Sequence, residues 1–214
     1  MKSQFYTTAG ISLSTGSFLA ITTMILHPSG GTLEDIISQA PQMQIAHSIA
    51  IACIPFMLFG FYGLSDKLLN QRKLSKLALI AVTLGLFSAM LAALFNGLIL
   101  PNFLNQYSAN LDQNETVLNI IVSYGFSINK ALDYVFIITL IFGIIIYSIL
   151  IIKSQKISKY LGYFGILILI FSIIGGFTGF AFTSLIGFRI FVFSVAVWVL
   201  CSGISLIQSN KEKL

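Results

Sequence analysis

The sequence predicts an all-α protein, a polytopic transmembrane bundle of six helices, and three observations carry that expectation. Only 9% of its 214 residues are charged while 57% are hydrophobic, whereas soluble domains carry roughly 25% charged residues. Several apolar runs reach the roughly 20 residues that a helix, rising about 1.5 Å per residue, needs to cross a hydrocarbon core. Those runs are apolar all round, without the alternation that the strands of a membrane barrel would show. Lipid, not water, is the expected solvent, and one domain covers residues 1–214.

The spans fall at about 7–26, 43–65, 76–100, 129–152, 160–183 and 186–208. Helices in lipid approach through small residues, because acyl chains are as apolar as leucine and do not drive helices together. Span one carries Thr8, Ser12, Gly16, Ala20, Thr23 and His27 at spacings of three or four, a single helical face that should look into the bundle. It stops at His27-Pro28-Ser29-Gly30-Gly31, where a proline and two glycines cannot prolong it. One Lys2 precedes this run and no small-residue cleavage site follows, so it reads as a retained helix and not as a removed signal.

Span two has His47 near its start and Pro55 inside, where a lost backbone hydrogen bond should bend the helix. Span three shows Ala81, Gly85, Ser88, Ala92 and Asn96 on one stripe. The connection that follows holds Val117, Leu118, Ile120, Ile121 and Val122 among polar residues; this suits a short helix lying in the membrane interface, or equally an ordered loop. Span four opens with Lys130 and Asp133. Span five has Gly162, Gly165, Ser172, Gly176, Gly179 and Thr183 on a stripe, with Gly175-x-x-x-Gly179 beside it. Gly175, Gly176 and Gly179 are therefore expected to pack against another helix, in what should be the most tightly packed span. Span six follows a short turn near Ser184 and carries Arg189 at its start. Neither matching broken helices nor matching loop lengths relate the two halves, so no inverted repeat is expected.

Six spans put both termini on one side. That side carries Lys2, Lys67, Arg72, Lys73, Lys76, Lys153, Lys156, Lys159, Lys211 and Lys213, leaving only Lys130 and Arg189 of the 12 basic residues for the other. The excess of Lys and Arg in cytoplasmic loops makes both termini cytoplasmic. It also explains the net charge of +5 without nucleic acid, which is not expected as a partner; the lipid bilayer is, and a protein partner or a second copy is open. Cys53 and Cys201 both lie inside spans and belong to no Cys-x-x-Cys or Cys/His cluster, so they form neither a disulfide framework nor a zinc module.

His27, His47, Asn96, Lys130, Asp133 and Arg189 all fall within about two turns of the external boundary. Two readings stand. In the structural one, Lys130 and Arg189 snorkel, His27 suits a helix C-terminus, Asp133 suits a first turn, and Lys130 pairs with Asp133 at i, i+3. In the functional one, the set forms an external-side polar pocket for a small solute or a proton, since ionisable groups inside a span are costly and commonly face a partner or a wet cavity. A haem held by His27 and His47 is a further alternative, without a haem-attachment motif to support it. A resident metal is not expected, because the spacing matches no metal motif, and neither is a catalytic constellation.

The stretches His27-Pro28, Ala46-His47-Ser48, Gly60-Phe61-Tyr62-Gly63-Leu64, Asn96 with Pro101, and Ser158-Lys159-Tyr160-Leu161-Gly162-Tyr163 resemble a broad group of small uncharacterised bacterial six-helix integral membrane proteins. The resemblance implies a bacterial inner-membrane location and six spans. It implies no activity and assigns no residue a role.

Overall fold

The computed structural model describes residues 2–68, 72–154 and 156–211, and every regular element among them is helical. In chain order these are α1 (Lys2–Leu26), α2 (Leu33–Ser38), α3 (Ala40–Lys67), α4 (Arg72–Ala92), a π-helical segment (Ala93–Ile99), α5 (Leu100–Asn105), a 3-10 turn (Ser108–Asn110), α6 (Leu111–Ser154), α7 (Lys159–Phe177) and α8 (Leu185–Lys211). Six helices are long and apolar enough to cross a membrane: α1, α3, the continuous run from α4 to α5, α6, α7 and α8. Large side chains such as Phe18, Tyr62, Leu84, Ile138 and Leu167 are exposed around the outside, as a lipid-facing surface requires. Lys213, counted among the basic residues of the terminal side, lies outside the described residues.

Small residues set the helix contacts. A Cβ on Gly10 of α1 would come within 2.6 Å of the Gly203 carbonyl of α8, and one on Gly203 within 2.6 Å of the Gly10 carbonyl. These two backbones touch, and Ser17 Oγ donates to Ala196 O at 2.6 Å further along the same seam. On the other side of α1, Gly60 and Gly63 of α3 leave room for Leu13 and Ala9. Gly85 and Gly143 bring α4 against α6 in the same way. The expected span-three stripe is buried throughout, from Ala81 to Asn96. On α1 the stripe is correct only from Gly16 upward; Thr8 is exposed, and the closest packing lies one step round, at Ala9 and Gly10.

A ring group closes the bundle's centre. Phe61 of α3 stacks on Tyr147 of α6 at 5.8 Å and on Trp198 of α8 at 6.5 Å between centroids. Their polar atoms are engaged: Trp198 Nε1 donates to Leu161 O at 3.0 Å, and Tyr147 Oη lies 2.6 Å from Ser65 Oγ. Because Ser65 Oγ itself donates to Ser75 O, the tyrosine is the donor in that pair. The bundle is therefore fastened at mid-depth and on the side of the termini.

Three sequence expectations need correction. Span three does not stop near residue 100 but runs to Asn105. The segment 111–128 is neither a loop nor a separate interfacial helix; it forms the first turns of α6, a single helix of 44 residues. At about 1.5 Å per residue that helix is about 66 Å long, more than the roughly 40–45 Å of a whole bilayer. The reason is local: Leu118 and Val122 bury against Leu100 and Leu104 with Leu33 and Ile36 of α2, so a second small core continues the α5–α6 pairing beyond the main one. Finally, α7 ends at Phe177, short of 183. Gly179 takes φ +76°, and Phe180 N–H bonds back to Gly175 O at 2.8 Å, the glycine-terminated helix end that only a residue without a Cβ adopts freely.

The packing expected of α7 is also relocated. A Cβ on Gly176 or Gly179 would meet nothing within 4 Å, and one on Gly175 would meet only the loop residues Phe182 and Phe180. Gly162 and Gly165, about three to four turns lower, make the contact: a Cβ at Gly165 would overlap Ser148 and lie 2.9 Å from Trp198 Nε1. Far from being the most tightly packed span, α7 is the least buried of the six.

Candidate functional site

His27 and His47 come together although 20 residues separate them. Their rings lie 4.8 Å apart between centroids, tilted at 57°. His27 stands just past the end of α1, where Pro28 ends the helix, and its Nδ1 lies 2.8 Å from Pro28 O. His47, in the second turn of α3, places its Nδ1 2.7 Å from Met43 O, one turn back. A carbonyl only accepts, so in each ring Nδ1 carries the hydrogen, and in the neutral form each Nε2 presents a lone pair.

The ring of His47 is seated by the π segment. Pro101, in the first turn of α5, has no N–H and would crowd the carbonyl of Gly97 four residues before it. The chain widens there, with Leu100 N–H bonding to Phe95 O five residues back. This turns Gly97 toward α3 so closely that a Cβ on it would overlap the His47 ring. The end of α1 is tied in turn to α8 through Arg189, whose guanidinium donates to the His27 carbonyl. For His27, burial pushes the pKa below the usual imidazole value; the hydrogen bond to Pro28 opposes that shift and the neighbouring Arg189 cation reinforces it.

Both rings line the mouth of a cavity of about 300 Å³ that runs between α1, α3, α4, α6 and α8. On α3 its wall extends from Met43 to Phe61, about 27 Å of helix. Polar groups line the mouth half of the cavity: Ser29, Thr183 and the two histidines with Thr23, then Asn129, then Asp133. Below these the wall is apolar, with Met57, Leu140 and Val199, and it reaches Phe61 of the central ring group.

Asp133 is buried, 8% exposed, and accepts from Asn129 Nδ2 at 2.9 Å, one turn earlier on α6. It is not beside the histidines. Ser88 of α4 bonds to Leu132 O, whereas His47 packs on Gly97 of the π segment, so nine residues of the continuous run from α4 into that segment, about 13 Å, separate the two levels. Asp133 thus sits deeper than the histidines in the same cavity.

The remaining expectations divide. Lys130 is exposed, and the expected pairing with Asp133 gives way to the Asn129 amide. Asn96 is buried, but it faces Gly125 of α6 instead of the cavity, with its Oδ1 unpartnered. Arg189 positions His27 without lining the cavity. Of the two carboxylates after Pro28, Asp35 has a structural role: with Thr32 it forms a reciprocal capping box at the start of α2. Sequence reasoning missed Asn129, although its i, i+4 spacing to Asp133 is a hydrogen-bonding signal. It missed the π segment as well, which Gly97 and Pro101 four apart could have marked.

The geometry does not suit a haem between the histidines. An iron bonded to both rings at about 2 Å would put the centroids about 6 Å apart with the macrocycle between them, whereas these rings touch at 4.8 Å. Among the described residues, no three His, Cys, Asp or Glu side chains gather into a metal-binding group. No protein-family model matches the chain, and neither does any curated protein or solved structure.

Proposed function

We propose that the chain is a multi-pass protein of a bacterial inner membrane, with both termini cytoplasmic, that takes a small amphipathic solute into its central cavity from the external side. The observation that carries this reading is the cavity itself: two imidazoles at its mouth with Nε2 unprotonated by geometry, a carboxylate deeper in, and an apolar lower half. A site that presents a few placed polar groups against an apolar wall suits a molecule with a polar head and an apolar body. The gathering of basic residues at the other end of the bundle supports the orientation, and the resemblance to small bacterial six-helix proteins supports the compartment.

A photoactivatable octanol carrying a diazirine tests the reading on purified protein in lipid nanodiscs. Adducts should map to cavity residues such as Met57 and Val199 and disappear in Ala50→Phe, which fills the cavity wall. Adducts confined to lipid-facing residues such as Phe18 and Tyr62, unchanged by Ala50→Phe, would contradict it.

A second reading, a membrane component that works by assembly, is favoured by the upper half of α7. Gly176 faces open space, and Phe177 beside it is 90% exposed, so among the described residues no helix lies against this face. If a partner helix or a second copy packs there, Gly176→Leu should lower the oligomer mass measured in nanodiscs or detergent. An unchanged mass would count against assembly.

A further inference from the structure

The cavity shows what kind of polar head it suits. Resting on the binding reading above, we propose that its solute is a cation, an ammonium head on an apolar body, with Asp133 as the counter-ion. Asp133 lines the cavity and is buried, yet its hydrogen-bond partner is a neutral amide on its own helix. The two cations at that end of the bundle are placed elsewhere: Lys130 is exposed, and Arg189 holds the His27 carbonyl outside the cavity wall. The other lysines and arginines among the described residues belong to the opposite end of the bundle. A carboxylate inside a span is costly and is commonly kept where an ion or ligand will neutralise it.

The neighbours of Asp133 fit the same head. Phe136, one turn further along α6, lines the cavity with Phe188, and the two rings lie 5.8 Å apart between centroids. Aromatic faces attract a desolvated cation. The donors that could have recognised an anion at this depth are engaged with backbone carbonyls: Thr23 Oγ1 with Leu19 O at 3.0 Å and Cys53 Sγ with Gly16 O at 3.2 Å. On the way in, the two histidine Nε2 atoms are acceptors, which receive N–H donors from an ammonium group but offer nothing to a carboxylate. The two imidazoles therefore favour a donor on the way in, and the deepest polar group, the Asp133 carboxylate, favours a positive charge.

Radiolabelled octylammonium, octanol and octanoate, matched in chain length, test this on full-length protein in nanodiscs with binding to empty discs subtracted. Octylammonium should bind saturably and at least tenfold more tightly than octanol, and octanoate should show no saturable binding. Asp133→Asn should weaken octylammonium at least tenfold while changing octanol less than twofold, and retained octanol binding shows that the variant is folded. If octanol binds saturably, is excluded by Ala50→Phe, and octylammonium binds no better, the cation proposal fails while the cavity reading survives. Tighter binding of octanoate, or octylammonium binding untouched by Asp133→Asn, also overturns it. If none of the three binds saturably, both the proposal and the binding reading beneath it fail.

Discussion

His47 owes its place to a residue with no side chain. Because a Cβ on Gly97 would overlap the imidazole, Gly97→Ala must displace the ring or part α3 from the π segment. Overpacking of this kind costs about 1–3 kcal/mol, so the variant should melt several degrees lower in detergent and lose solute binding; an unchanged melting temperature would show that the contact is slack. His27 gives a pH test. Its pKa is lowered on folding, so below the ordinary imidazole value near 6.5 the unfolded chain binds more protons than the folded one. The His27 contribution to stability is thus complete above about pH 7 and declines as pH falls through about 6.5. The drop in melting temperature between about pH 8 and pH 5.5 should be smaller in His27→Asn than in the parent, and an equal drop would contradict this. Of the two rings, His27 was legible in the sequence because it ends a small-residue face. His47 could be placed near the same boundary but not on an inward face, because the surface that seats it belongs to another helix and exists only after the π segment has formed.

Helix α7 shows how one sequence signal can be right in kind and wrong in position. Its glycines do mark a close contact, but the contact is at Gly162 and Gly165, while Gly176 meets nothing. Gly165→Val should therefore cost about 2 kcal/mol, whereas Gly176→Val should stay within about 0.5 kcal/mol. Trp198, the only tryptophan in the chain, reads the difference: Gly165→Val should disturb its bond to Leu161 O and shift its emission, and Gly176→Val should leave the spectrum alone. The reverse pattern would restore the original expectation for the upper half of the helix. Spans three and four were misjudged in length for a related reason. Hydropathy marks what lipid can accept, and the extension of α6 beyond that zone is held by Leu118 and Val122 on Leu100 and Leu104, pairs that no single segment reveals.

At the scale of the molecule, the number of spans and their apolar character were legible because lipid imposes them on each segment separately. A polar pocket at the external end was one reading of the sequence, but its depth and apolar lower half were not legible, since they are the space left where five helices fail to close and depend on their relative rotation. The charge distribution predicts its orientation: a cysteine introduced for Ser29, at the cavity mouth, should react with a membrane-impermeant maleimide added outside intact cells, and a cysteine for Lys153 should not. Labelling of Lys153→Cys alone would invert the topology. Two histidines from different helices meet at the mouth of the cavity proposed to take a solute, with both Nε2 lone pairs available. Because the chain has only 2 histidines, a sample labelled with 15N in histidine alone reports on both rings and nothing else. In nanodiscs near pH 7.5, the spectrum should show two rings protonated at Nδ1, a through-space contact between them, and Nε2 signals that move when octanol is added. Rings protonated at Nε2, or rings without mutual contact and indifferent to octanol, would overturn that arrangement.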